Sequence, residues 1–410
     1  KTLDGTVYQV TGTIRRSSAA LEDGDGDGST YNLRVWCADE DYNMISEMLE
    51  AYKVKYPSNK YNFTLERLGE DVVSGTVMKD PEAAADVFSF ANDQLGWLIK
   101  SQALTQIPAQ YTAQIESQIE VARIAASYNN TYYAMPYSYE NCFLYYNKNL
   151  ITDVSSVEGI LKANIPTANY NLCIDMSDSY YTTAFLYTAG VEIFGPNGDD
   201  PESVDINNEN AYTACRYIRW LNSQQKLESI NNKNDQIAAL QSGKIAAIIS
   251  GPHMISSFKS ALGANFAVAT LPSVKFDNAS SAKKLVSFSG VKMYGITRKS
   301  AKSRDEKTTA EAIKLAAYLS NAENQTIRLE KREFCPTQSD IFSSAVDSGI
   351  DAIKVVVDQS RNSKLKPGLT QMDNYWGNMS NFLNGVYRLA RAEDTWPKYL
   401  ADIQKKLAGE

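Results

Sequence analysis

Histidine is almost missing from this chain: His253 is the only one. That scarcity argues against His-based metal sites and against Ser-His-Asp nucleophilic catalysis. Cysteine is sparse too. Cys37, Cys142, Cys173, Cys215 and Cys335 are odd in number and show no close pairing. Three of them sit in apolar runs, so most are expected as small buried hydrophobes rather than as a disulfide framework. No stretch reaches the roughly 20 apolar residues that a membrane span requires. A basic excess is also lacking: 41 Lys and Arg face 48 Asp and Glu, a net charge of −7. A nucleic-acid partner needs a basic face and is not expected. The balance fits a soluble protein that handles neutral ligands.

Hydrophobic residues make up 43% of the 410 positions, enough for real cores. That length exceeds one ordinary domain, so two or three lobes are expected. The chain opens on Lys1 rather than Met and is expected to be processed or trimmed. Residues 1–30 read as a leader or linker, with Ser17–Ala20 and the run Asp23-Gly-Asp-Gly-Asp-Gly-Ser29. The Asp run looks like the start of a calcium loop. Its twelfth position is Arg34, where a bidentate Glu is needed, so no metal site is expected.

From Leu33 onward, short apolar strands alternate with helices. Leu33–Cys37 ends in an acidic turn, Asp39-Glu-Asp41, which opens a helix with Ile45, Met48, Leu49 and Tyr52 on one face. Ala85–Phe90 is followed by Ala91-Asn-Asp-Gln94, and Tyr133–Glu140 leads into Phe143–Tyr146. Further strands are expected at 172–175, 244–250, 266–270 and 291–297, and helices near 306–320, 322–332, 373–391 and 396–407. This alternation predicts an α/β protein with mainly parallel sheets. In such sheets ligands bind at the turns that follow the strands.

Those turns repeatedly set aromatic rings beside acids or amides. Tyrosine is abundant, at 25 residues, and offers a flat ring and a hydroxyl at little rotamer cost. Rings stack on the C–H faces of sugars, and carboxylates bond the hydroxyls at the sugar's edge. The pattern suggests a carbohydrate groove.

The order of these landmarks resembles that of the bacterial family-1 extracellular solute-binding proteins, in particular the maltose/maltodextrin-binding type of ABC transporters. The matching stretches are Leu33–Cys37 with its acidic turn, Ala85–Leu95, Tyr133–Leu150, Ser242–Pro252, Ala269-Thr-Leu-Pro272 and Gln371–Trp376. The string Tyr145-Tyr-Asn-Lys-Asn-Leu-Ile151 is particularly family-like. The resemblance implies a two-lobed periplasmic-binding-protein-like fold with a multi-segment hinge. One lobe is expected at 31–138 and 290–335, the other at 141–288 and 338–410, with crossings near 139–141, 288–290 and 335–337. It further implies a monomer without cofactor. That monomer takes a malto-oligosaccharide outside the cytoplasmic membrane, tethered as a lipoprotein or free in a periplasm, and passes it to the permease subunits of an ABC importer.

Site residues carry over one at a time. Trp36, Asp39 and Glu40 match the first strand and its sugar-bonding turn. Phe90 stands where the family has a tryptophan, Asp93 matches its aspartate, and Gln94 replaces an arginine. Glu140 matches the glutamate beside the hinge. Asp178, Tyr180 and Tyr181 match the acid and aromatics of the second lobe. Tyr375 and Trp376 match the late stacking aromatic. His253 is a departure, because it follows Gly251-Pro252 where maltodextrin binders carry a stacking tryptophan. Two other readings use the same residues. One is a binder of xylo- or galacto-oligosaccharides. The other is a glycosidase using Asp93, Glu140 and Asp178, which would need two carboxyls about 5–5.5 or 6.5–9.5 Å apart.

Overall fold

The computed structural model describes residues 28–70, 72–277 and 279–409. The 1–27 part of the expected leader, including the Asp23–Asp27 run, lies outside the described residues.

Two sheets organise the chain. In the first, Thr30–Cys37 pairs in parallel with Lys60–Arg67 and with Val87–Ala91. The strand Ser287–Ile296 runs antiparallel to Val87–Ala91 and to Ala134–Asn141. In the second, Tyr170–Cys173 lies parallel between Leu227–Glu228 and Ile245–Ser250. Phe143–Asn147 is antiparallel to Ile245–Ser250 and to Phe266–Ala269. Both sheets are therefore mixed rather than mainly parallel. The reason is the path of the chain. It leaves the first sheet along Ala134–Asn141 and returns to it along Ser287–Ile296, and neighbouring outward and return strands must run in opposite directions.

The segments expected as crossings lie side by side. Asn141 faces Ser289, and Glu140 faces Gly290. The Tyr139 N–H donates to the Cys335 carbonyl at 2.9 Å. A further passage was not foreseen. Ser363–Leu365 pairs in parallel with Ser287–Ser289 of the first sheet, although 338–410 was expected wholly in the second lobe. From there Lys366–Gly368 carries the chain back to the helix Met372–Tyr387, which packs on the helices Ser179–Ala189 and Glu209–Ser223.

Local signals set the helix ends. Asp178 caps Ser179–Ala189 by accepting from the Tyr180 N–H at 2.8 Å, and Gly190 closes it in the left-handed conformation at φ 103°. In Met372–Tyr387 the buried positions Met372, Tyr375, Met379, Phe382, Leu383 and Val386 recur at helical spacing and form one apolar stripe. All five cysteines are free and buried, and burial raises the Cys37 thiol to about 12. No helix among the described residues is long and apolar enough to cross a membrane.

Candidate binding cleft

The strand Ser287–Ile296 is buried at all ten positions, yet it carries a lysine in its middle. An ammonium there must find carboxylates or lose its charge. Lys292 Nζ lies 2.7 Å from Glu70 Oε2 and 3.8 Å from Glu140 Oε2. Burial alone would lower its pKa, but Glu70, Glu140 and Asp41 overcome that and raise it. Glu70 moves the other way. Burial opposes ionisation, and Lys292 together with the Tyr137 hydroxyl, 2.9 Å away, holds the carboxyl below its usual range.

A second buried ammonium extends the row. Lys366 Nζ lies 3.0 Å from Asp93 Oδ1. Burial would lower its pKa, and Asp93 and Glu140 raise it. Glu70, Lys292, Glu140, Lys366 and Asp93 thus form an alternating line of charge where the hinge strand meets the Asn92–Gln94 turn. Beside it, Asp41 is buried 3.5 Å from Arg332, and burial raises its pKa against the pull of Arg328, Lys292 and Arg332.

The second lobe presents rings and one acid to this line. The Tyr180 ring stacks on Phe288 at 6.3 Å with an 8° interplanar angle and meets Tyr181 edge-on at 5.2 Å. Trp376 packs against Phe288 at 5.3 Å and is partly exposed. Lys366 Nζ sits 5.6 Å from the Tyr180 ring centre. Asp178 has one oxygen committed to its cap, and burial raises its pKa. His253, in the turn Pro252–Met254, has its pKa lowered to about 3 by burial and by Lys292 and Lys233. It is a neutral imidazole. The lobes also touch directly. Glu40 Oε1 lies 4.0 Å from Lys233 Nζ, and Glu333 is paired with Lys259.

Not every expected residue reaches this cleft. Trp36 is buried, and its indole N–H donates to Glu66 at 2.8 Å. Asp39 is 80% exposed and paired with Arg67 at 2.6 Å. Phe90 is fully buried against Phe88 in the core of the first lobe, because side chains of a strand alternate faces and this one points inward. Gln94 spends its amide on the chain itself, donating to the Glu70 carbonyl and accepting from the Ser74 N–H at 3.2 Å. Tyr375 is fully buried and shares a 2.7 Å hydrogen bond with Thr183. Glu40, Asp93, Glu140, Asp178, Tyr180 and His253 lie around the charged row, while Tyr181 and Trp376 pack beside Tyr180 and Phe288. Glu70, Lys292 and Lys366 went unrecognised. Lys292 left a signal, as the one charged residue in the otherwise uncharged run Ser-Phe-Ser-Gly-Val-Lys-Met-Tyr-Gly-Ile.

A family profile described as "Bacterial extracellular solute-binding protein" matches residues 48–348. The chain belongs to that family. Curated relatives include the galactooligosaccharide-binding protein of Bacillus subtilis, 27% identical over 388 residues that cover 88% of this chain and 85% of the relative. A maltooligosaccharide ABC transporter solute-binding lipoprotein of Streptococcus pneumoniae is 26% identical over 380 residues, covering 87% and 84%. Solved structures share the fold. The ligand-free maltodextrin binding protein MalE1 of L. casei superposes with a TM-score of 0.79 at 24% identity, covering 92% of this chain and 99% of that one. MalX of S. pneumoniae, in complex with maltopentaose, gives 0.78 at 22% identity, covering 91% and 99%. Family members are binding proteins, and the two-lobed architecture is theirs.

Proposed function

We propose that this protein is the oligosaccharide receptor of an ABC importer and binds a neutral sugar between its lobes. The observation that carries this reading is the dry row of paired charges flanked by Tyr180 and Trp376. Each carboxylate in the row is already compensated by an ammonium, so a ligand adds hydroxyls rather than charge. Hydrogen bonds to ionised groups contribute roughly 1.5–3 kcal/mol each. A few of them, with stacked rings, reach micromolar affinity, about −8 kcal/mol. That strength suits capture followed by release to permease subunits.

The ligand we propose is a malto-oligosaccharide, in keeping with the lipoprotein of S. pneumoniae named for that sugar. A galacto-oligosaccharide is the second reading. It is supported by the B. subtilis relative and by the small imidazole of His253, which offers less stacking surface than an indole. We place the protein outside the cytoplasmic membrane, tethered as a lipoprotein like that relative, and acting without turnover.

Calorimetry against maltotriose, maltotetraose, β-1,4-galactotriose and xylotriose tests the reading. One of the first three should bind at micromolar affinity or better, and chromatography after overnight incubation should recover it intact. Shorter sugars accumulating over many turnovers, or no binding by any of the four, would sink it.

A further inference from the structure

Lys366 occupies the passage that returns the chain from the first lobe to the second. Its backbone is fixed on both sides. The N–H donates to the Ser289 carbonyl at 2.8 Å, and its own carbonyl accepts from Asn92 Nδ2 at 2.7 Å. Asn92 Oδ1 in turn accepts from the Val291 N–H at 3.0 Å. The side chain lies over Gly290, where an added Cβ would fall 2.7 Å from Lys366 Cε and 3.1 Å from Nζ. Any side chain at Gly290 would push the end of the lysine stem away from its present place.

The ammonium that this arrangement delivers is underused. It has three N–H donors and is only 7% exposed. Among the described residues its one partner within ion-pair distance is Asp93, at 3.0 Å. Asp93 Oδ1 has no other partner there. A buried group with spare donors beside a buried acceptor is poised for a ligand, since leaving such groups unpaired is costly. The pair also touches both lobes, through the Asn92–Gln94 turn on one side and the Tyr180 ring, 5.6 Å away, on the other.

We propose that Lys366 is a specificity-determining residue of the cleft: with Asp93 it forms a donor–acceptor pair that reads two adjacent hydroxyls of a neutral sugar. One hydroxyl donates to the Asp93 carboxylate, and its neighbour accepts from the Lys366 ammonium. Adjacent ring hydroxyls lie about one hydrogen-bond length apart, as the ammonium and the carboxylate oxygen do. A sugar ammonium in place of the hydroxyl that accepts from Lys366 meets like charge and is rejected. This inference rests on the reading of the cleft as an oligosaccharide site.

The experiment is a cycle that crosses protein variants with sugar analogues. Maltotriose and β-1,4-galactotriose, their monodeoxy analogues and their 2-amino-2-deoxy analogues are titrated into wild type, Lys366→Met and Lys366→Arg. Loss of one charge-assisted hydrogen bond should weaken binding of the parent sugar by Lys366→Met roughly 10- to 100-fold. Lys366→Arg should recover part of that loss. One monodeoxy analogue should bind wild type weakly yet be discriminated little by Lys366→Met. The amine analogue should gain affinity in Lys366→Met, where Asp93 stands uncompensated. If Lys366→Met does not fold, Asp93→Asn is run through the same cycle from the other partner. Equal affinity of Lys366→Met and wild type, or fully additive losses for every analogue, overturns the inference and leaves the sugar-binding reading standing. A wild type that binds none of maltotriose, maltotetraose, β-1,4-galactotriose and xylotriose overturns that reading and this inference with it.

Discussion

The Tyr375 hydroxyl and Thr183 Oγ1 share a 2.7 Å hydrogen bond in the core of the second lobe, while the next residue, Trp376, turns a partly exposed indole toward the cleft. Consecutive helical residues point about 100° apart, so one ring supports the lobe and its neighbour is free to meet ligand. Tyr375→Phe removes one buried hydrogen bond, and Thr183 still donates to the Ser179 carbonyl at 2.6 Å. Chemical denaturation should show a loss of about 1 kcal/mol, with sugar affinity unchanged. A tenfold fall in affinity at unaltered stability would mean that the hydroxyl reaches ligand.

Trp376→Ala should do the reverse. A partly exposed aromatic that anchors a ligand behaves as a hot spot, and its truncation should weaken sugar binding by about 2–4 kcal/mol. Calorimetry and thermal melting on the same sample separate the outcomes. A variant that loses most of its stability while binding normally would make Trp376 a packing residue against Phe288.

Lys292→Met should be costly and pH-dependent. Removing one member of a buried ion pair leaves the other uncompensated, typically at about 3–5 kcal/mol. Glu70 has a depressed pKa in the fold. Its stabilisation is present above its unfolded pKa and is lost as pH falls through the folded value. Lys292 is raised, so its share is present below its unfolded pKa and is lost only as pH rises through the folded value. Acid therefore reduces the penalty of the mutant, because Glu70, left without its ammonium, can protonate. Urea unfolding should give a larger difference between wild type and mutant at pH 7.5 than at pH 4.5. Equal differences would mean that the carboxylates do not face an uncompensated site.

The α/β alternation was legible because it is local. Caps such as Asp178, closing glycines such as Gly190, and uninterrupted apolar strands announce themselves within a few residues. The residues beside the charged row were foreseeable in part from their place in the chain. Asp93, Glu140 and Tyr180 stand at strand ends or helix starts, where position alone limits their direction. Phe90 and Tyr375 misled because an aromatic in a strand or helix looks the same whichever face it takes. The partner that settles Tyr375 is Thr183, 192 residues away. The return of Ser363–Leu365 to the first sheet was hidden because a three-residue strand carries almost no periodicity.

Closure should be measurable in solution. Glu40 with Lys233 and Glu333 with Lys259 bridge the lobes across the cleft. Exposed pairs of this kind contribute little by themselves, about 0–1 kcal/mol. A sugar that contacts both lobes supplies the larger bias toward the closed form. Small-angle scattering should show a smaller radius of gyration once sugar is added, and the ligand-free value should rise further in salt near 1 M, where screening shortens to about 3 Å. Superimposable curves in all three conditions would indicate a rigid groove.

His253 should not act as a pH switch. A free imidazole changes charge near pH 6.5, but burial with Lys292 and Lys233 nearby lowers this one to about 3. Protonation is thus disfavoured in the fold relative to the unfolded chain. The sign follows: stability is complete above the unfolded pKa and is lost progressively as pH falls from about 6.5 toward 3. His253→Gln should flatten that part of the acid limb. Because the chain has a single histidine, its ring resonances can be followed by NMR without assignment, and they should stay constant between pH 8 and pH 5. Sugar affinity should be constant over the same range as far as His253 governs it. His253→Trp supplies the stacking surface that imidazole lacks and should strengthen binding of an α-glucan, while His253→Ala should cost less than Trp376→Ala. A ring titration with its midpoint near 6.5 would place His253 in open solvent, away from both lysines.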